Sequence, residues 1–192
     1  MDFEYTNPAL ISSIVAVVLL TIVAISIAMR QRVVQTKNLR ERFGPEYDFV
    51  LRESESRRKG EARLLAREKR VQLLKLHELT PTQRAHYLAA WELVQSRFID
   101  HPRGAVIEAD ELLTSLLQAR GFPAERFEQR AADLSVDHAR LVDTYRSSSA
   151  IAARAGKNIA TTEELRTAMV HYRTLVDDLL QTETSMTERV LV

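Results

Sequence analysis

Five histidines, His77, His86, His101, His138 and His171, are the side chains best suited to hold a metal or move a proton near neutral pH. They lie on different segments, and none stands in an H-x-x-x-H or His–carboxylate spacing that would set two ligands on one helix face. Their expected place is the surface. Ser147, Ser148 and Ser149 offer hydroxyls, but no G-x-S-x-G elbow surrounds them, so they read as a polar helix face rather than a nucleophile. No glycine-rich loop is there to cradle a phosphate. The chain has no cysteine, which excludes disulfides, zinc–thiolate sites and thiol catalysis, and fits a reducing compartment. Trp91 and Tyr145 read as core anchors rather than base-stacking platforms. The expectation is a protein that is not an enzyme, with no catalytic residue, metal or cofactor.

Two clusters remain as candidates for recognition. The stretch Phe127–His138 is denser in charge than a plain helix requires, and it places Arg130, Asp133, Asp137 and His138 around a helix–helix corner. Capping and ion pairing explain such a corner, with Ser135 and Asp137 expected to cap the helix that follows. The alternative is a surface that recognises a protein partner. The second cluster is Arg30, Arg32, Lys37, Arg40 and Arg42, which could touch anionic lipid at about 1 kcal/mol for each side chain that reaches the surface. The chain end, Val190-Leu191-Val192, resembles what a strand-adding groove accepts, but a frayed terminus is the reading preferred.

These residues need elements to position them, and the first element is apolar. Ala9–Met29 contains no charged residue, and as a helix at about 1.5 Å per residue it spans a hydrocarbon core of about 30 Å. Its hydroxyls, on Ser12, Ser13, Thr21 and Ser26, can return to backbone carbonyls one turn back. The segment before it is acidic, through Asp2 and Glu4, the apolar run is long, and no A-x-A pattern ends it. A retained anchor is expected rather than a cleaved signal. The basic cluster follows the span and no Lys or Arg precedes it, so the positive-inside bias predicts an outer N-terminus and a cytoplasmic C-terminal part. Phe3 and Tyr5 would sit at the outer interface.

The formal net charge of +1 hides an asymmetry. Between Arg30 and Leu76 fourteen Lys and Arg face seven Asp and Glu; from His77 onward thirteen face seventeen. The basic part adjoins the span. A solvated helix with pairs such as Glu53–Arg57, Glu55–Lys59 and Arg57–Glu61 is preferred here over a lipid-bound one, because the basic residues point all round the helix. Nucleic acid is not an expected partner, since aromatics and a recognition helix are missing and the downstream part is acidic.

Few glycines and prolines, with abundant Ala, Leu, Arg and Glu, favour helices throughout. Gly44-Pro45 should break the helix leaving the span. A charged helix then runs from Glu46 to about Leu76, bent at most at Gly60. Thr80-Pro81-Thr82-Gln83 forms a capping box with proline at the first helical position. Tyr87, Trp91, Val94 and Phe98 follow on one face. Val106, Ala109, Leu113 and Leu116 line the next helix, which Gly121 should terminate. Pro123 should open a short helix, and Thr161–Glu164 a last one carrying Leu165, Met169, Tyr172, Val176 and Leu179. The fold class is all-α. It comprises a short outer N-terminus at 1–8, a transmembrane helix at 9–29 and a charged stalk at 30–79. A bundle of about five helices at 80–183 and a flexible tail at 184–192 complete it.

The strings RFGPEYD from Arg42, RRKGEA from Arg57, QRAADLSVDHARLVDTYR from Gln129 and TEELRTAMVHYR from Thr162 resemble a family of bacterial single-span membrane or secreted proteins of uncharacterised function. The resemblance runs from Arg42 to Leu180 and implies a bacterial inner-membrane protein. It brings no activity or site residue. The expected function is a membrane-anchored cytoplasmic interaction module, an adaptor, scaffold or regulator, with self-association or a protein partner. The alternative is an accessory subunit of a membrane enzyme or transporter complex.

Overall fold

The computed structural model describes the backbone of residues 8–124 and 126–190, and side chains from 12 to 180 apart from 125. The acidic residues Asp2 and Glu4, the rings of Phe3 and Tyr5, and the final Leu191-Val192 lie outside the described residues. All regular structure among the described residues is helical, in two compact units that divide between Glu41 and Arg42.

The first unit is built on α1, Pro8–Phe43, a single uninterrupted helix. Nothing in Ala9–Phe43 stops it, since Gly and Pro are absent from that stretch. From Ser12 to Val34 its apolar side chains are exposed on every side, Leu20 and Val33 most of all, whereas Leu39 and Phe43 near its C-terminal end are buried. A helix that is apolar all round needs an apolar surrounding. This one is long and apolar enough to cross a membrane. Thr21 donates its hydroxyl to the carbonyl of Val18 at 2.8 Å, the device by which a threonine is accommodated in lipid. Arg30, Arg32, Lys37 and Arg40 are exposed on the same helix, and Lys37 stands 3.7 Å from Glu41.

Gly44 ends α1 as the sequence predicts. Its φ of 48° is a left-handed conformation that glycine adopts at little cost, and Pro45 opens α2, Pro45–Arg52. The expected continuous helix from Glu46 to Leu76 is instead two helices. Residues 53–56 form a turn, and Ser56 caps α3, Arg57–Leu73, by accepting from the Lys59 amide at 3.3 Å. Residues 52–59 carry no apolar side chain to hold a helix against the protein, so the polar stretch turns and Ser56 takes the cap. Gly60 is not a bend but a contact: a Cβ there would fall 2.9 Å from the Leu51 side chain, so the small residue lets α3 approach α2 closely. The stalk reading therefore needs correction beyond Arg42. Phe43, Tyr47, Val50, Leu64 and Val71 are buried, and α2 and α3 belong to the compact unit that begins at Arg42 rather than at Thr80.

Five further helices complete that unit: α4 (Pro81–Arg97), α5 (Pro102–Ala119), α6 (Phe127–Leu134), α7 (Val142–Gly156) and α8 (Thr162–Val190). Both capping boxes form. Thr80 accepts from the Gln83 amide while the Gln83 side chain accepts from the Thr80 amide. Thr161 and Glu164 do the same at the start of α8, at 3.3 and 2.8 Å. Gly121, at φ 95°, closes α5 with the paired bonds Gly121 N–H to Gln118 and Phe122 N–H to Leu117. Asn158 repeats the motif after α7 at φ 57°.

α5 packs against α4, α7 and α8, which makes it the centre of the bundle. Its Val106, Ala109, Leu113 and Leu116 are fully buried, as are Leu165, Tyr172, Val176 and Leu179 of α8 and Trp91 of α4. These are the stripes the sequence predicts. Three local expectations differ. α6 starts at Phe127 rather than at Pro123, which lies in the preceding loop. Neither Ser135 nor Asp137 caps α7: a 3-10 turn at Ala139–Leu141 intervenes, so Leu141 occupies the cap position, and Ser135 donates to the Ala132 carbonyl at 2.6 Å. The tail read as flexible is helical through Val190, since no Gly or Pro after Thr162 stops α8.

Candidate interaction site at a charged seam

α2 and α3 pack against each other, α3 also meets α6, and α2 meets the 3-10 turn before α7. The short helix α2 presents Tyr47 and Val50 together with Glu46 on its buried side, because residues at i, i+1 and i+4 share a face. Glu46 is 2% exposed. A lone carboxylate so placed would cost several kcal/mol of lost hydration, of order 3–5. Two arginines answer it. Arg146 of α7 grips it bidentately, Nη1 to Oε2 at 2.7 Å and Nη2 to Oε1 at 3.0 Å. Arg67 of α3 donates Nη1 to Oε1 at 2.7 Å and to the Ser135 hydroxyl at 3.3 Å. The Arg146 guanidinium also lies 4.4 Å from the centre of the Phe49 ring. Burial opposes the charge of Glu46, but the hydrogen bonds and charges of Arg146 and Arg67 outweigh it and hold the carboxyl below its usual range. The Glu46 partner raises Arg146 in turn.

The seam continues on either side of this triad. Asp133 of α6 is fully buried and accepts from Arg70 of α3, through Nε at 2.8 Å and through Nη2, and from the Gln129 amide at 3.2 Å. Arg42 donates to Glu68, to the Val136 carbonyl at 3.3 Å and to Asp137 at 3.3 Å. Tyr47 donates to Glu61 at 2.8 Å, and its phenol is pushed up by burial and by that carboxylate. On the solvent side Arg57 donates to Glu61 at 2.9 Å within α3, and Lys59 donates to Glu55 in the turn before it, two of the expected i,i+4 pairs.

The four corner residues therefore have distinct places. Arg130 is 7% exposed and points into the bundle, where Nε donates to the Tyr145 hydroxyl at 2.9 Å and Nη1 to the Ala124 carbonyl at 3.1 Å. Burial nevertheless pushes the Tyr145 phenol up. Asp133 joins the seam. His138 faces Asp178 of α8 through Nδ1 at 2.9 Å, with Arg140 at 3.7 Å from the same carboxylate. Asp137 alone is half-exposed, paired with Arg42. Such an exposed pair contributes about 0–1 kcal/mol. Asp137→Ala should consequently lower stability by less than about 1 kcal/mol, as read from urea unfolding followed by circular dichroism. Of the five basic residues read as lipid contacts, Arg42, near the C-terminal end of α1, is committed to Glu68, Val136 and Asp137 inside the compact unit, and the other four lie in the first unit.

Deeper in the bundle Tyr172 of α8 donates to Asp110 of α5 at 2.7 Å, and burial together with that carboxylate pushes its phenol up strongly, keeping it protonated as a donor. The oxygens of Glu46 and Asp133 are occupied by fixed donors, which leaves them as cross-links between helices rather than as acids or bases for a substrate. Sequence reasoning missed Glu46, Arg67 and Arg146 altogether. An acid in the first turn of a helix is ordinary, so Glu46 drew no attention. The signal available was Tyr47 and Val50 at i and i+3, which gives α2 a buried side and carries Glu46 into it. Among the described residues no group of three or more His, Asp and Glu converges as a metal site. No family model, no curated protein and no solved structure matches the chain.

Proposed function

We propose that the protein is a membrane-anchored helical interaction module, an adaptor, scaffold or regulator that holds its bundle at the cytoplasmic face of a membrane. The observation that carries this reading is the stretch of α1 from Ser12 to Met29, uncharged and exposed at every position, on a helix that continues into a compact unit beginning at Arg42. A helix with that composition is stable in lipid, and the large apolar side chains exposed on the unit that follows, such as Leu73, Leu93, Ile99 and Ile159, are scattered along the chain rather than continuous as in α1. The basic residues Arg30, Arg32, Lys37 and Arg40 after the apolar run support a cytoplasmic position for the compact unit. The resemblance to bacterial single-span proteins supports a bacterial inner membrane. Arg30 and Arg32 lie within one helical turn of Met29, close enough for headgroup contact, whereas Lys37 and Arg40 lie about 12–17 Å beyond Met29 along the helix.

A second reading is an accessory subunit whose span packs against a larger membrane complex. The two separate in one experiment. Residues 9–29 are exchanged for an unrelated apolar span in the full-length chain, and proteins co-purifying in mild detergent are compared with those of the native chain. The module reading expects the same partners, because the compact unit recruits them. Loss of every partner on exchange of the span would assign recognition to the span and overturn it.

A further inference from the structure

Phe43, Tyr47, Val50, Leu64 and Val71 are buried, yet none belongs to the continuous apolar core that unites α4, α5, α7 and α8. The side-chain links between α2–α3 and the rest of the unit are Glu46 with Arg146, Arg67 with Ser135 and Arg70 with Asp133, with the Arg146 guanidinium over the Phe49 ring. Apolar burial is nearly indifferent to the precise orientation of its partners. A seam of charge pairs holds only while each donor faces its acceptor, and its separated groups are well solvated once apart. The two kinds of attachment therefore fail independently. A region whose buried side chains lie outside the main core and whose side-chain links to it are charged is the kind that opens as a cooperative unit below the global unfolding free energy.

The ends of this region are built as joints. At the N-terminal end Gly44 sits between two helices at φ 48°, ψ −125°, outside either helix. At the C-terminal end Leu74 leaves α3 in extended backbone, φ −71°, ψ 135°. Immediately beyond it the chain is pinned to the bundle. His77 donates its amide to the Arg120 carbonyl at 3.1 Å, and Leu79 enters the bundle core. The Lys75 carbonyl passes so close to Gly121 that a Cβ there would lie 2.6 Å from it. Motion of α3 therefore stops at Lys75.

We propose that α2 and α3 form an arm, docked on the bundle by the Glu46–Arg146–Arg67 and Asp133–Arg70 pairs, that swings off as one unit about Gly44 and Leu74 while the bundle stays folded. This goes beyond the anchoring role and stands without it. Opening frees the acidic oxygens of Asp133 on α6 and the guanidinium of Arg146 on α7, so the docked arm also acts as a cover over charged groups of the bundle.

Hydrogen exchange read by mass spectrometry on the full-length protein in detergent micelles tests this. In the wild type, amides of residues 47–72 should exchange at least tenfold faster than those of α5 and α7. Glu46→Gln keeps the shape of the side chain and removes its charge. It should accelerate exchange in 47–72 at least a further tenfold and leave α5 and α7 unchanged. If α2–α3 amides in the wild type open together with α5 and α7, with the same rate and the same urea dependence, the arm is an integral part of the bundle and the proposal falls. Equal acceleration of α5 and α7 in Glu46→Gln overturns it as well.

Discussion

Trp91→Ala is expected to lower the stability of the compact unit by about 3–5 kcal/mol. The ring is 3% exposed and sits in the continuous core with Tyr87 and Val94 of its own helix. Its removal leaves a cavity beside the central helix α5, against which α4 packs. Unfolding of the full-length chain in urea, followed by circular dichroism, measures the effect. A loss below about 1 kcal/mol would place the ring in a contact that collapses freely, contrary to the packing described.

Glu46→Ala is expected to cost about 3–5 kcal/mol, because it strips the shared acceptor from two guanidinium groups that are mostly buried. That cost falls on the attachment of α2 and α3, so limited proteolysis should cut between residues 47 and 72 well before the bundle is attacked. The same carboxylate predicts a pH dependence. Its pKa is lowered in the folded protein, so its contribution is fully present above the unfolded value, about 4.3, and is lost as the pH falls through the folded value. Cleavage in 47–72 should therefore rise on acidification below about pH 4.3 in the wild type and depend less on pH over that window in Glu46→Ala. Equal proteolysis of the two proteins at pH 7 would contradict the role given to Glu46.

The bundle was legible because its signals are local. Capping boxes at Thr80 and Thr161 and the stripes through Trp91 and Tyr172 each lie within one helix, and the structure realises them all. The seam was not legible because its partners are distant along the chain. Glu46 and Arg146 are 100 residues apart, and Arg70 and Asp133 are 63 apart. Nothing in the spacing of a single helix encodes such pairs. The same reason misplaced α2 and α3: judged alone, a charged helix with few apolar residues reads as solvated, whereas its Arg67 and Arg70 are spent on acids of α2 and α6. The corner at Arg130–His138 was identified as dense, and its density is that of a junction, with Asp133 tied to α3, Arg130 to α7 and His138 to α8.

The anchoring role rests on the apolar helix and on the side of the membrane that the compact unit occupies. The chain has no cysteine, so a single Lys157→Cys variant gives one label site, at an exposed position after α7. The account predicts that this protein stays with the membrane pellet through carbonate washing, and that a membrane-impermeant maleimide labels it only after the cells are permeabilised. Release into the carbonate supernatant, or labelling at position 157 in intact cells, would contradict it.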